Sequence, residues 1–148
     1  MSEQERQTSL RLHRSDFSAE ETYSVPRDAV LQSIRGFDWA SEWSRAASAS
    51  AAGGPWCAPA FELSDCDGYA LFVQVMEDCS VTLRYEHPTR VTRFGFCGND
   101  DTGSLDAVGL TMEGAGRAVE MFYHFKEAEL IDLLSRYGGM DGDIAAGE

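Results

Sequence analysis

The stretch from Gly68 to Tyr137 constrains the fold most, because it alternates apolar and polar residues in short runs and ends in an amphipathic segment. Successive side chains of a β-strand point to opposite faces of a sheet, so this alternation predicts strands that bury one face. Runs that follow one another along a chain are most often neighbours in space. The sequence therefore predicts an antiparallel meander.

Five runs make up the predicted meander. Their apolar positions are, in order, Tyr69, Leu71, Val73 and Val75; Val81, Leu83 and Tyr85; Thr92, Phe94 and Phe96; Val108, Leu110 and Met112; and Val119, Met121, Tyr123 and Phe125. We expect a hairpin loop at Glu77–Ser80, a break at His87–Pro88, a turn-rich loop over Gly98–Gly103 and a hairpin at Gly114–Gly116.

Helices are predicted before and after this meander in the chain. Pro26 suits the first position of a helix, and a second short helix is expected around Trp39–Trp43. At the other end, Glu127–Tyr137 places its apolar residues on one stripe, and the glycines at 138 and 139 end it. One or two strands are expected between Ser9 and Val25. The predicted core residues are Leu71, Val73, Leu83, Leu110, Met121, Leu130 and Leu134.

The predicted fold class is α+β: an antiparallel meander of about 5–7 strands with two short N-terminal helices and one C-terminal helix. A chain of 148 residues is long enough for one domain with a proper core. We expect a disordered leader over residues 1–7, a single domain over 8–139 and a flexible tail over 140–148.

A family resemblance accompanies this order of elements. The segment Tyr23-Ser24-Val25-Pro26-Arg27-Asp28-Ala29-Val30, followed by Trp39–Trp43, resembles the entry of the START and Bet v 1 superfamily into its two small helices. The whole order is similar to the helix-grip fold of that superfamily. The resemblance implies a ligand cavity gripped by a long C-terminal helix, and the helix predicted at Glu127–Tyr137 is much shorter.

Charge bears most directly on function. The net charge is −13, and residues 51–148 hold six bases against seventeen acids, a net of −11. Nucleic acids and anionic membranes need a basic surface, so both are poor partners and a basic protein is the natural complement. The polar start of the chain lacks the apolar core of a signal peptide, which predicts a cytoplasmic protein. Its four cysteines, Cys57, Cys66, Cys79 and Cys97, are then expected to be reduced.

No recognisable motif for chemistry stands out in the sequence. The four cysteines lack the paired spacing of zinc ligands, and the three histidines lack that of a metal-binding helix. Glu120 and His124 share a face of the predicted fifth strand, where a solvated polar patch is the ordinary interpretation. We therefore expect no catalytic residues, no metal and no cofactor.

The sequence leads to two hypotheses about function. The first is a non-catalytic acidic protein that captures a basic protein, as an immunity protein captures a toxin or a secretion chaperone its cargo. The second is a helix-grip protein that binds a small apolar ligand or acts on it. For the first, the expected contact residues are Glu77, Asp78, Asp100, Asp101, Asp106, Glu113 and Trp56.

Overall fold

The computed structural model describes residues 5–90 and 100–137. Its elements are β1 (Ser9–His13), β2 (Ala19–Thr22), α1 (Arg27–Gly36), α2 (Trp39–Ala51), β3 (Ala60–Ser64), β4 (Ala70–Val75), β5 (Val81–Arg90), β6 (Asp100–Leu110), α3 (Met112–Tyr123) and α4 (Glu127–Tyr137). The six strands form one antiparallel sheet in the order β2-β1-β3-β4-β5-β6. The predicted α+β class is confirmed.

The core lies between one face of this sheet and the helices. Alternate residues of each central strand are buried, as Leu71, Val73 and Val75 are in β4. The opposite face carries polar residues such as Arg84 and Asp106, which are exposed. Of the seven predicted core residues, six are fully buried and Met121 is partly buried at the edge of the cluster. One wet face and one buried face are typical of an antiparallel sheet.

The predicted fifth strand is wrong, because Met112–Tyr123 forms α3. Val119, Met121 and Tyr123 alternate as in a strand, but Ala115, Val119 and Phe122 also form a helical stripe, and it is this stripe that is buried. Thr111 caps the helix, since its hydroxyl oxygen accepts from the Gly114 N–H at 3.0 Å. The predicted hairpin at residues 114–116 is accordingly the first turn of α3.

Two predicted breaks are also wrong. His87 and Pro88 lie inside β5, which pairs with β4 only as far as Glu86. Among the described residues β5 has a single neighbour beyond Glu86, so a proline that lacks an N–H is tolerated. Asp100–Gly103, predicted as loop, begins β6 and pairs with His87–Arg90, because the ladder overrides local turn propensity.

A register shift in the β5–β6 ladder separates Val108 from Leu110, which were predicted to share a face. The shift lies between Val81 and Leu83, and Gly109 takes a φ of +79° in the facing strand. Such a bulge inserts one residue and reverses the alternation beyond it. Leu110 is therefore buried and Val108 exposed. The predicted third strand, with Thr92, Phe94 and Phe96, lies outside the described residues, as do Cys97 and the predicted tail.

Arg6 lies within the stretch predicted as a disordered leader, and its side chain binds the β3–β4 turn and α3. Its guanidinium pairs with Asp65 at 2.5 Å and lies over the rings of Tyr69, Phe122 and Phe125. Its Nε donates to the Phe122 carbonyl at 2.8 Å. A guanidinium satisfied by a carboxylate, a carbonyl and aromatic faces can be buried without an unpaired charge.

Two buried tyrosines join the helices to the rest of the core. The hydroxyl of Tyr85 donates to Glu127 at 2.6 Å, and that of Tyr123 donates to the Val25 carbonyl at 2.7 Å. Burial and the neighbouring Glu127 carboxylate raise the pKa of Tyr85, and burial raises the pKa of Tyr123 to about 12. Both hydroxyls therefore stay protonated donors at neutral pH.

Candidate functional site

The seven contact residues predicted from the sequence fall in three separate places. Asp100 and Asp101 begin β6 and pair with Arg90 and Thr89, at one end of the sheet. Asp106 lies in the middle of the exposed sheet face. The strand register places the other four at the opposite end of the sheet from Asp100: Glu77, Asp78, Glu113 and Trp56.

The strand register brings the third group, Glu77, Asp78, Glu113 and Trp56, to one end of the sheet. Val75, Val81 and Leu110 pair across β4, β5 and β6, so the Glu77–Asp78 turn and the start of α3 with Glu113 project from that end. Trp56 precedes Cys57, whose N–H donates to the Ser15 carbonyl at 3.0 Å. Ser15 belongs to the β1–β2 turn, which projects from the same end because His13 pairs with Ala60.

The β1–β2 turn adds two residues that the sequence interpretation missed, Asp16 and Phe17. We name the surface formed by Asp16, Phe17, Trp56, Glu77, Asp78 and Glu113 the acidic rim. Its two aromatic side chains are solvent-exposed, Phe17 by 62% and Trp56 by 42%. Neighbouring strands lie about 4.8 Å apart, so the β1–β2 and β4–β5 turns are separated by about 14 Å.

The two turns of the acidic rim have the same local construction. Asp16 accepts from the Ser18 N–H at 2.9 Å and from its hydroxyl at 2.6 Å. Asp78 accepts from Ser80 at the same two distances. These hydrogen bonds lower the pKa of both carboxyl groups, because they favour the charged form. Both acids are therefore ionised and held in place by the turn itself.

The middle residue of each turn is strained. Phe17 and Cys79 both take a φ of +71°, a left-handed conformation that favours glycine. The comparable β3–β4 turn at the other end has Gly68 at a φ of +97°. A residue other than glycine costs about 1–2 kcal/mol there. An exposed phenylalanine at such a position suggests a contact residue, because it stabilises neither the turn nor the core.

Asp106 is a weaker candidate than the acids of the rim. The guanidinium of Arg84 binds it with two hydrogen bonds, at 2.7 and 3.1 Å. The hydrogen bonds and charge of Asp106 raise the pKa of Arg84 further. Two exposed groups that neutralise each other offer little net charge to a partner. A shallow groove of about 360 Å³ lies beside them, lined by Ala60, Phe72, Gln74, Thr82, Arg84, Asp106 and Val108.

A second groove bears on the ligand-binding hypothesis. It has a volume of about 410 Å³ and lies between α1 and the inner face of β1 and β2. Its lining mixes apolar and polar side chains: Leu10, Leu12, Glu20, Thr22, Gln32, Ser33, Gly36, Phe37 and Phe61. It runs along the edge of the sheet rather than through the core.

Ionisable clusters in the described ranges serve the fold. Arg27 bridges Glu120 at 3.1 Å and His124 at 3.0 Å, and so ties α1 to α3. Glu120 lies in α3 and His124 is the C-terminal cap of that helix, so the expected strand-face patch is replaced by this bridge. The buried carboxylate of Glu42 lies 3.5 Å from Arg45 and 3.9 Å from Arg14. Within residues 5–90 and 100–137, no group of three or more His, Cys, Asp or Glu side chains is arranged to hold a metal ion.

Among the described cysteines, Cys57, Cys66 and Cys79 are free thiols. No helix in the described part of the chain has both the length and the apolar character needed to cross a bilayer. Comparison with protein-family models, with curated proteins and with solved structures finds no match.

Proposed function

We propose that this chain is a non-catalytic binding protein that captures a basic protein through the acidic rim, as an immunity protein captures a toxin. One observation carries the proposal: the exposed ring of Phe17 is held at a strained φ of +71° beside the ionised Asp16. The exposed Trp56 is joined to the same turn through the hydrogen bond from the Cys57 N–H to the Ser15 carbonyl. Aromatic anchors surrounded by charged groups are typical of protein interfaces. The net charge of −13 supports a basic partner.

The proposal gives the residues of the rim distinct roles. Phe17 and Trp56 supply apolar contact area, which provides most of the affinity in an interface. Asp16, Glu77, Asp78 and Glu113 supply negative potential, which guides a basic partner to the surface and sets its orientation. Asp100 and Asp101 lie at the other end of the sheet and contribute to the long-range field.

Replacing Phe17 by glycine is expected to stabilise the protein and weaken partner binding. Glycine relieves the left-handed strain, which should raise the free energy of unfolding by about 0.5–1 kcal/mol. Loss of the ring should reduce affinity by at least about tenfold. The measurements are urea unfolding and binding to the protein recovered in a pull-down from the native host.

Cys79→Gly is the matched control, because Cys79 has the same φ in the same kind of turn. It should stabilise the protein to a similar degree and leave affinity nearly unchanged. If Phe17→Gly binds as tightly as Cys79→Gly, the aromatic anchor has no role in recognition.

Charge reversal at the rim should slow association. We expect the double variant Glu77→Lys and Glu113→Lys to lower the association rate and the affinity by about tenfold or more. The association rate of the native protein should also fall steeply between about 0.05 and 0.5 M salt, because steering is screened. Stopped-flow or surface-based kinetics on the recovered partner measures both effects.

The control for charge reversal is Asp67→Lys with Glu129→Lys, which changes the net charge equally. Asp67 lies in the β3–β4 turn at the other end of the sheet, and Glu129 lies on α4. Equal losses for the two double variants would mean that only the overall charge matters. Recovery of a small apolar ligand alone, with no basic protein, would favour the alternative function, a binding protein for apolar ligands that uses the groove beside α1.

A further inference from the structure

Strand β2 has a free edge in the described part of the chain. Its four residues, Ala19–Thr22, are all exposed, and β1 is its one neighbour in the sheet. At the turn, the Arg14 N–H donates to the Ser18 carbonyl at 2.9 Å. Backbone groups alternate in direction along an antiparallel strand, so those of Glu20 and Thr22 point to β1 and those of Ala19 and Glu21 point outward. Unpaired outward groups are a template for another strand.

The groove beside α1 continues this edge on the inner side. On the sheet side its lining is apolar at Leu10, Leu12 and Phe61 and polar at Glu20 and Thr22 of β2, and residues of α1 form its other side. A strand added to β2 would direct every second side chain towards this groove of about 410 Å³. The free edge and the groove therefore fit an extended segment whose alternate residues are apolar.

A second copy of this chain fits the edge poorly. In an antiparallel pair of two copies, the outward-pointing residues Ala19 and Glu21 must face each other or themselves. The registers that also pair most of β2 are therefore centred on Glu20 or on Glu21. Each of these registers places a glutamate directly opposite its own copy. Like charges in that position destabilise a strand pair.

A basic segment fits the same edge better. The carboxylate of Glu20 lies 3.0 Å from Arg14, and that of Glu21 lies 3.8 Å from Arg11. Glu20 is hydrogen-bonded to its arginine and faces the groove, whereas the Glu21–Arg11 distance is too long for a hydrogen bond, so the carboxylate of Glu21 can accept from a further cation on the outer face. The chain as a whole carries a charge of −13, which adds a long-range attraction for a basic strand.

We infer that the β2 edge receives an extended basic segment of the partner as a seventh strand, with apolar side chains towards α1 and basic side chains near Glu21. This inference rests on the proposed function and adds to it how the partner is bound. Main-chain hydrogen bonds supply affinity, and the groove supplies specificity for alternate side chains. The acidic rim adjoins this edge through the β1–β2 turn, so one partner can contact both.

The test uses a capped heptapeptide of alternating lysine and valine as the probe, and amide hydrogen exchange of the full chain as the readout. We expect the peptide to slow exchange at Ala19 and Glu21 by about tenfold or more, and to leave Glu20 and Thr22 nearly unchanged. A peptide with glutamate in place of lysine should have little effect. Protection of every second amide along β2 distinguishes strand addition from side-chain attraction alone.

A pair of variants at one position tests the backbone directly. Glu21→Pro removes the outward N–H and blocks the edge, whereas Glu21→Gln removes only the charge. Proline is tolerated on an edge strand where its nitrogen faces solvent, so the fold should persist. We expect Glu21→Pro to bind the lysine–valine peptide at least about tenfold more weakly than Glu21→Gln. Unchanged amide exchange in β3, β4 and β5 serves as the check of folding.

Two results would overturn the inference: no slowing at Ala19 and Glu21 at millimolar peptide, or equal peptide binding by the proline and glutamine variants. These results are independent of the proposed function. If the native partner is lost by the rim variants and retained by Glu21→Pro, capture of a basic protein stands and strand addition fails. If the peptide protects both amides while no basic protein is recovered from the host, the edge site stands and the proposed function fails.

Discussion

Replacing Arg6 by methionine should lower the free energy of unfolding by about 3–5 kcal/mol, because the substitution leaves Asp65 without its buried partner. The side chains of Arg6 and Asp65 are 6% and 5% exposed. The same guanidinium also lies within 4.7 Å of three ring centroids and donates to the carbonyl of Phe122. A single side chain therefore connects the start of the chain to the β3–β4 turn and to α3.

Two further variants separate the charge from the packing. Arg11→Met removes an exposed arginine, 3.8 Å from Glu21, and should cost less than about 1 kcal/mol. Asp65→Asn combined with Arg6→Met should recover part of the loss, because the amide oxygen can still accept from the N–H groups of Asp67 and Tyr69. Chemical unfolding measures all three. A loss below about 1 kcal/mol for Arg6→Met would mean that the Arg6 side chain does not hold the N-terminal segment in place.

Replacing Leu134 by alanine should cost about 2–5 kcal/mol, the usual range for a large-to-small change in a core. Leu134 is fully buried on the face of α4 that packs against β6 and α3. The change removes one methine and two methyl carbons and leaves a cavity at the junction of two helices and the sheet. Thermal and urea unfolding report the loss.

Ile131→Ala on the same helix is the control, because Ile131 is 37% exposed. It should cost clearly less than the change at Leu134, and both variants alter helix propensity in the same direction. Equal losses would show that α4 does not dock through the face that contains Leu134.

The sequence was informative where one periodicity was present and ambiguous where two overlapped. Leu71 and Val73 in β4, and Leu130 and Leu134 in α4, follow a single period, and their burial was predicted correctly. Residues 112–123 satisfy both a strand and a helix pattern, and the cap at Thr111 decides between them. A hairpin assigned to the glycines at 114 and 116 concealed that cap.

The candidate site was predictable only in part, because strand register rather than sequence distance decides which turns meet. Glu77 and Asp78 were recognised as a hairpin loop, but nothing local places them at the same end as Phe17. A repeated pattern could have indicated it: Asp16-Phe17-Ser18 and Asp78-Cys79-Ser80 share an aspartate and a serine two residues apart. The contacts of Arg6 were not predictable, since they join residues far apart in the chain, 59 positions for Asp65 and 116 for Phe122.

The shared construction of the two rim turns has a consequence for how such a protein can change its specificity. Asp16 and Ser18, like Asp78 and Ser80, fix the turn through hydrogen bonds that leave the side chain between them uninvolved. The middle position can therefore be exchanged, for any residue that tolerates a left-handed backbone, without disturbing the hairpin. Partner recognition can therefore change through single substitutions at Phe17 or at Cys79. The residues of the sheet and core, which determine stability, need not change with them.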